Sequence, residues 1–517
     1  MPQRSQNGNF KLKFLVTSRP YGDIERRFAN MTRQFPSIRL AGEDEWRGVS
    51  QEIDMVMNAR VDEIIRERNL SRDIGDAEKR RLSMAENRTY VWLNLTLDFL
   101  RGFHGNTQAK ILREIDRLPE TVDQAYEKIL QRCNSRYHGD GRRLLEIIVA
   151  THRPLDLSEI DLVLEIHEAC RCFEDLDLEG PEKRKQWIRD VCGLFVSVID
   201  SRLYLIQQTA RELLLQEGPE PAAPGTWRRS IDLRHAHLLL AKLCITYLSF
   251  ENFKMHDHDY DPDIPENAFS RYSAAHWTSH VRQGHSLGHG WVQKVIILCD
   301  KRGHSKYWTR YPTFDLGQMI PVVLSKKWSC LHWATFLDLT EVVHSLIDER
   351  NMKIDEDVIR AAVTNSGGGA EVLKLLLDRA DIKITKRIIE IVASNMDYGE
   401  QMMQILFDQR GSEMRITEDI IYWAASNQPK GEAITKLLLD YRGADIKITT
   451  KVVYGAAFNF RNGGKVMKLL LNRGAEIQVA DQVVEAAASF WPDRDEVMEL
   501  LRRRRAADLR AGLSHLL

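Results

Sequence analysis

No sign of charge dominates this sequence: 73 Lys and Arg stand against 74 Asp and Glu, a formal balance of -1 in 517 residues. A global field that would draw the chain to nucleic acid or an anionic membrane is therefore excluded, and any partner must be recognised locally. Long apolar runs are missing too. The best of them, Leu238 to Phe250, is interrupted by Lys242 and is too short to span a bilayer. The first ten residues, MPQRSQNGNF, lack the apolar core of a signal peptide. Cysteine is scarce and odd in number, seven in all, which argues against a disulfide framework and for a reducing, cytoplasmic setting. Cys170 and Cys172 form a lone CxC with no second pair at zinc-site spacing, so no metal is expected there.

What is present is patterned mostly for helices. The length predicts three or four domains. Near the start, KLKFLVTSRP (Lys11 to Pro20) reads as a buried strand, Phe14 to Val16, that stops at Thr17, Ser18 and Arg19 before Pro20 bars continuation. Asp23 to Asn30 suits a short helix and Ile38 to Leu40 a brief strand. Trp46 to Arg68 and Tyr90 to Arg101 read as helices, the second buried on most sides. Thr121 is placed to cap a helix, with Gln124 three residues on; Ser158 is the next expected N-cap, with Asp161 at the third position and Leu157 and Leu162 as a hydrophobic staple. Leu194 to Ile199 and Leu203 to Ile206 bracket Asp200-Ser201-Arg202 as a β-hairpin. Three helices and a hairpin are the parts of a winged helix. Gly218 to Gly225 is a Pro- and Ala-containing linker, followed by helices over Ser230 to Phe250, Glu266 to Arg282 and Trp291 to Cys299. His276 and His280 lie one helical turn apart, but without an HExxH context or a third ligand they read as packed or exposed histidines. His256 to Asp261 reads as a solvated acidic loop.

Three phrases, LPETVDQAYEKIL, RPLDLSEIDLVLEI and CGLFVSVIDSRLYLIQQTARELLL, follow the KLKFLVTSRP strand in order over about the first 215 residues. Together they resemble the end of the nephrocystin-type NTPase and the GPI inositol-deacylase-type winged helix of fungal NACHT (STAND, NLR-like) proteins. YSAAHWTSHVR, Tyr272 to Arg282, is similar to a segment that joins the winged helix to repeats in that family. The resemblance implies that Ser18, Arg19 and Gln207 face a nucleotide. Two departures limit it. No GxxxxGK[ST] occurs in the sequence and only ten residues precede Lys11, so the phosphate-cradling loop is missing and hydrolysis by this chain is not expected. Gln207 stands where family members usually carry a His, and a neutral amide cannot become cationic there.

From Ser329 the sequence changes character. Ser329 to Ala334, SCLHWA, resembles the ankyrin opening T-P-L-H-x-A. Five related repeats then begin at Ile354, Ile384, Ile416, Ile448 and Val479, spaced 30, 32, 32 and 31 residues apart. The first four continue with a cap candidate, Asp355, Thr385, Thr417 or Thr449, and each repeat has a β-branched pair such as Val358-Ile359 or Val452-Val453. Asn365, Asn395, Asn427 and Asn459 recur eleven residues after the start, where a residue tolerant of the left-handed region would end a helix; Gly443 and Gly474 are read as caps of the second helix. Phe490 replaces the Asn in the last repeat, and Arg502 to Arg505 suit a polar terminal cap.

The expected fold is mainly α: a truncated α/β P-loop remnant with a helical segment over 1–117, a winged helix over 118–217, a helical linker over 218–325 and an ankyrin-like α-solenoid over 326–517. The expected function is NLR-like signalling or recognition, in a form truncated at its N-terminus and without NTPase activity. The alternative is a nucleotide-independent repeat scaffold. No cofactor is expected; ATP or GTP with Mg²⁺ would enter only if a missing N-terminal half were supplied, and such a complete protein could oligomerise. The repeats would bind a protein ligand through the variable sixth and seventh positions, of which Arg360, Glu390, Tyr422, Trp423 and Tyr454 are the candidates. The competing reading of Trp423 is that it fills space between repeats. Nucleic acid is not expected as a partner, because the winged-helix segment Asp156 to Asp161 is acidic.

Overall fold

Helical periodicity governs the structure, a computed structural model that describes residues 46–68, 70–85, 89–101, 108–132, 138–215, 226–253, 269–300, 308–309, 328–364, 368–442, 448–473, 499 and 502–503. The chain is mainly helical and divides into two compact units, Met1–Ala125 and Tyr126–Leu517. The expected strand at Lys11 to Pro20, the elements that follow it up to Leu40, and the expected linker at Gly218 to Gly225 all lie outside the described residues. Among the described residues no helix is long and apolar enough to cross a membrane.

In the first unit, α1 (Trp46–Glu67), α2 (Arg72–Ser83), α3 (Tyr90–Arg101) and α4 (Gln108–Asp116) share one core. It is built from Ile53, Val61, Ile64, Trp92, Leu97 and Ile111. The periodicity gives α1 and α3 but not α2, whose sequence RDIGDAEKRRLS offers the core little beyond Ile74 and Leu82. Its fourth inward residue is Glu78, 2 % exposed. One carboxyl oxygen has no partner. Burial therefore raises its pKa to about 7, against the smaller opposing pull of Arg68 and Lys79.

The boundary between the units falls within α5 (Val122–Arg132), and the second unit continues with α6 (His138–Ala150), α7 (Leu157–Glu165) and α8 (Pro181–Cys192), then the hairpin β1 (Val196–Ile199) and β2 (Arg202–Leu205), and α9 (Gln208–Leu214). Thr121 accepts the Gln124 N–H at 3.2 Å as expected, while the Gln124 side chain reaches one residue further back and accepts the Glu120 N–H at 2.8 Å. The cap of α7 is Asp156 rather than Ser158: its carboxylate accepts from the Ser158 and Glu159 N–H groups, and Glu159 returns the bond to the Asp156 N–H. Aspartate wins because one carboxylate oxygen, Oδ1, accepts both N–H groups at 2.9 Å while the reciprocal Glu completes a capping box. The staple positions move accordingly to Leu155 and Ile160, both buried. The hairpin loop is two residues, Asp200 and Ser201, both at positive φ (48° and 62°), the twist-matched turn such a hairpin demands. Leu155 to Leu157 run beside β2, with Leu203 N–H to Leu155 O at 2.9 Å and Leu157 N–H to Ser201 O at 2.8 Å.

The acids of the α7 segment are mostly internal, which corrects the expectation that they form an acidic outer surface. Glu159 is 1 % and Asp161 4 % exposed. Arg153 binds Glu159 through both terminal nitrogens, and the buried Arg184 binds Asp161 at 2.8 Å and Glu165 at 2.7 Å.

Next, α10 (Leu233–Leu248) packs on α6 and on α11 (Ser270–Gln283), and α12 (His289–Leu298) leads toward the repeats. Trp277, Trp308, Trp333 and Trp328 then form a chain of edge-to-face rings, with centroids 5.5, 5.3 and 4.9 Å apart, that joins α11 to the first repeat.

The repeats are helix pairs: α13 (Cys330–Phe336) with α14 (Thr340–Asp348), α15 (Glu356–Thr364) with α16 (Ala370–Arg379), α17 (Lys386–Ser394) with α18 (Gly399–Arg410), α19 (Glu418–Ser426) with α20 (Gly431–Arg442), and α21 (Thr450–Ala457) with α22 (Gly463–Arg473). First helices stack on first helices and second on second, in two layers. The β-branched pairs Val358-Ile359, Ile388-Ile389, Ile420-Ile421 and Val452-Val453 are all buried between them. The Asn positions correct a second expectation. Asn395 and Asn427 sit in extended backbone (φ -67° and -65°), so left-handed tolerance does not select them. Their carboxamides do. Asn427 Nδ2 donates to Ala393 O (3.1 Å) and Asn395 O (2.8 Å) of the preceding repeat, while its Oδ1 accepts the Lys430 N–H at 3.1 Å. Asn459 repeats this on Ala425 O and Asn427 O at 3.1 and 2.6 Å. The expected Thr caps do not bond their own helices: Thr385 Oγ1 donates to Glu356 of the preceding repeat at 2.8 Å, Thr449 pairs with Glu418, and the Thr417 hydroxyl is buried without a hydrogen-bond partner among the described residues. Asp355 caps its own helix, accepting the Val358 N–H. Asn365, Gly443, Gly474 and the repeat from Val479 with Phe490 lie outside the described residues.

Two stability outcomes are expected. Glu78 has its folded pKa raised, so its carboxyl is comfortable protonated and the first unit loses stability as pH rises from about 4.5 to about 7. Urea midpoints of that unit's transition should fall over this range, and Glu78→Gln should flatten the profile; an unchanged profile would remove the assignment. Asn427→Ala strands two buried carbonyls and should cost roughly 2–4 kcal/mol by denaturant melt. Asn427→Asp, which loses both donors, should do no better.

Candidate functional site

The outer face of the first helices in the repeats carries the variable positions. On α15, Arg360 is half-buried and tied to Asp357 one turn back. On α17, Glu390 lies 3.5 Å from Lys386 and 3.8 Å from Arg387. Both are thus neutralised within their own helix, and neither offers a free charge to a ligand.

The aromatic candidates behave differently. Trp423 is 44 % exposed, which overturns the reading that it fills space between repeats. Its neighbour Tyr422 is half-buried, edge-on to Trp423 with centroids 5.4 Å apart, and Lys451 Nζ lies 5.7 Å over its ring. Tyr422 leans across to α21, where Gly455 leaves it room: a Cβ on Gly455 would come within 2.9 Å of both Tyr422 O and Cδ2. Tyr454, half-buried, meets Phe458 at 4.7 Å. Phe458 and Phe460 are 36 % and 44 % exposed. Gln428 fixes them, donating to Phe458 O and accepting from the Phe460 N–H, each at 2.8 Å. Sequence reasoning missed Phe458 and Phe460, although they flank the recurrent Asn459 at positions held by Ser426 and Gln428 one repeat earlier.

Tyr422 and Trp423 on α19, Tyr454 on α21, and Phe458 and Phe460 just beyond its end thus place five aromatic residues, in two contacting pairs and a single ring, on two adjacent repeats. On the same repeats, Asp419 is bracketed by Lys386 and Lys451, whose bonds hold its pKa down at about 2. Large rings presented on rigid backbone lose little entropy on contact, the property of interaction anchors.

The other candidates are placed elsewhere or not at all. Ser18 and Arg19 lie outside the described residues. Gln207 precedes α9 in extended backbone, with no side-chain bond to the helix end. His276 and His280 are packed inside, 8 % and 0 % exposed. Among the described residues no group of three or more His, Cys, Asp or Glu is arranged to hold a metal ion, and the six cysteines described, Cys170 and Cys172 included, are free thiols. The acidic loop at His256 to Asp261 is outside the described residues, and of Arg502 to Arg505 only the exposed Arg502 and Arg503 are described.

Comparison with known proteins bears on both units. Five consecutive segments, 346–372, 375–403, 405–434, 437–467 and 469–498, match a Domain of unknown function (DUF7104), so the periodic array is a recurring module. Residues 49–112, which hold most of α1 and all of α2 and α3, match a second Domain of unknown function (DUF7069). The chain is similar to a fungal incompatibility protein. That relative, Vegetative incompatibility protein HET-E-1 of Podospora anserina, is 22 % identical over 289 residues, covering 52 % of this chain and 20 % of the relative. Azaphilone pigments biosynthesis cluster protein L of Monascus ruber is 26 % identical over 181 residues, 33 % of this chain and 37 % of that protein. The chain thus spans about a fifth to two fifths of these curated relatives. No solved structure gives a significant match.

Substitutions separate the surface rings from the packing beneath. Trp423→Ala and Phe460→Ala should change stability by no more than about 0.5 kcal/mol, as exposed positions do. Gly455→Ala should cost roughly 1–3 kcal/mol, because the added methyl meets the Tyr422 carbonyl as well as its ring, and the backbone oxygen cannot yield. Thermal melts would check this, and a large loss for Trp423→Ala would return that ring to the core.

Proposed function

We propose that this chain acts in NLR-like recognition: the repeats, an ankyrin-like solenoid, bind a protein partner, and the hairpin-bearing module is a winged helix of the NACHT (STAND) kind. The observation that carries the reading is the aromatic set Trp423, Tyr422, Tyr454, Phe458 and Phe460 on a cross-tied stack. Three features support the rest. The helix order from α6 to α8, followed by a two-residue-loop hairpin beside Leu155 to Leu157, is compatible with the winged-helix reading. Helix pairs about 32 residues apart, opened by SCLHWA, fit ankyrin-type units. The similarity to a protein named for vegetative incompatibility favours recognition over metabolism.

Nucleotide hydrolysis is not part of the proposal for this chain. Its sequence has no GxxxxGK[ST], the Gly-rich loop whose backbone N–H groups cradle phosphates. The nucleotide-independent scaffold differs from the family switch on one point, and titration with a fluorescent ATP analogue addresses it: saturable binding lost in Arg19→Ala would restore the switch.

Partner binding has its own test. Proximity labelling in cells should enrich a set of proteins around the wild-type chain, and the Trp423→Ala/Tyr454→Ala/Phe460→Ala variant, folded by circular dichroism, should lose that set at least tenfold. An unchanged set would sink the proposed surface.

A further inference from the structure

Four imidazoles meet where the hairpin-bearing module joins the helices that lead to the repeats. His152 comes from the turn after α6, His237 from α10, and His276 and His280 from α11. Ring centroids lie 4.8 Å apart for His152 and His280, 5.0 Å for His152 and His276, and 5.2 Å for His237 and His280. His237 and His280 are 5 % and 0 % exposed. Their Nδ1 atoms are 2.9 Å apart, His280 Nε2 is 2.9 Å from Tyr272 Oη, and Tyr272 Oη accepts the His152 backbone N–H at 3.2 Å.

The bonding has one fully satisfied direction. A backbone amide can only donate, so Tyr272 receives a proton from His152 N–H and passes its own to His280 Nε2. His280 then donates from Nδ1 to His237 Nδ1, which must be an acceptor. Every shared atom in this chain is used once, and each acceptor imidazole must be neutral. Protonating His280 puts a hydrogen on Nε2 against the Tyr272 hydroxyl; protonating His237 puts one on Nδ1 against the His280 N–H. In this tautomer either event turns an attractive contact into two opposed donors inside a buried seam, and relieving it requires the neighbouring hydrogen bonds to reverse.

We propose that this cluster is an acid-sensitive joint, closed while its histidines are neutral and opened between the hairpin-bearing module and the α10–α11 pair when they are protonated. The surrounding charges do not offset the protons. Arg211 of α9, anchored on Val149 O, acts on His237 as a further cation. Arg153 lies 5.1 Å over the Tyr272 ring, and the Glu159 charge of α7 is engaged by Arg153 in a two-point pair. Cys244 of α10, buried beside Tyr272, is kept a neutral thiol by burial. Burial first, then the neighbouring His152 and Arg211, lowers the His237 pKa to about 4, and burial with the three other rings holds His280 well below its ordinary value. With folded pKa values depressed below the usual 6.5, the closed joint is stable above about pH 6.5 and loses stability as pH falls toward 4. The repeats would feel the opening, since Arg282 at the end of α11 donates to Leu337 O of the first repeat at 3.0 Å.

Cys244 reports on this seam, and Cys192, buried in the core of the hairpin-bearing module, is the internal control. The full chain would be treated with 4,4′-dithiodipyridine between pH 7.5 and 5, and each labelled thiol quantified by peptide mass mapping relative to the urea-unfolded chain. The expected result is that Cys244 gains at least tenfold in relative rate as pH falls while Cys192 stays protected. Equal protection of Cys244 at both ends would overturn the joint, and so would a parallel rise of both thiols, which is global unfolding. His237→Phe, which removes one proton site, should shift the opening of Cys244 to lower pH. If that variant does not fold, the wild-type comparison of the two thiols still decides.

Discussion

A helix leaves its last carbonyls without partners, and in this repeat array the next repeat supplies them. Asn395, Asn427 and Asn459 each push a carboxamide into the end of the preceding first helix, bonding Val363 O, Ala393 O and Ala425 O. In the other layer the arginines at second-helix ends do the same. Arg410 reaches Ala380 O at 3.0 Å, and Arg473 reaches Leu439 O at 2.8 Å. The Asn oxygen meanwhile accepts N–H groups that open its own second helix, Asp397 and Tyr398 for Asn395, Arg461 and Asn462 for Asn459. A single side chain thus closes one helix and starts another. No shorter or longer residue does both, and aspartate lacks the donors. The insertion needs space, and Gly431 provides it, because a Cβ there would lie 2.5 Å from Asn459 Nδ2.

With the inner faces and helix ends committed in this way, the sixth and seventh positions are less constrained, although Ala361 and Gly455 among them are buried. They vary accordingly: Arg360 and Ala361, Glu390 and Ile391, Tyr422 and Trp423, Tyr454 and Gly455. The charged third position alternates in sign along the stack, Asp357, Arg387, Asp419, Lys451. Asp419, between Lys386 and Lys451, bonds to both, so charge on this face is largely spent between repeats. What remains unspent is apolar area, and it is concentrated in the aromatic set. A partner selected by such a surface would be read by shape and ring contact more than by charge, which suits a chain with almost no net charge.

The sequence made the helices legible wherever apolar spacing was regular, and it fixed the beginnings of the repeats through their β-branched pairs. It was less informative where a polar side chain acts at a distance. Asn427 looks like a helix terminator because sequence shows only its own helix, whereas its partners Ala393 and Asn395 lie 34 and 32 residues back. Thr385 and Thr449 have the spacing of caps but bond to glutamates of the previous repeat for the same reason. The signal that could have revealed this is the glycine four residues after each Asn, Gly399, Gly431 and Gly463, a periodic small residue with no turn to make. At Asp156 and Ser158 two good caps compete, and only the position of Glu159 decides between them. His152 and His237 gave no signal at all, since nothing local ties them to His276 and His280.

The two polar seams of the second unit use different chemistry for the same structural task, satisfying buried groups between neighbours. In the repeats the Asn bridges are carboxamides, which have no proton to gain or lose across the accessible pH range. At the junction before the repeats the bridging groups are imidazoles, which can take a proton. The repeat stack is thereby joined to the hairpin-bearing module through a seam whose hydrogen bonds run through imidazoles. In the proposed joint the response to acid would begin at that seam rather than at the Asn bridges of the repeats.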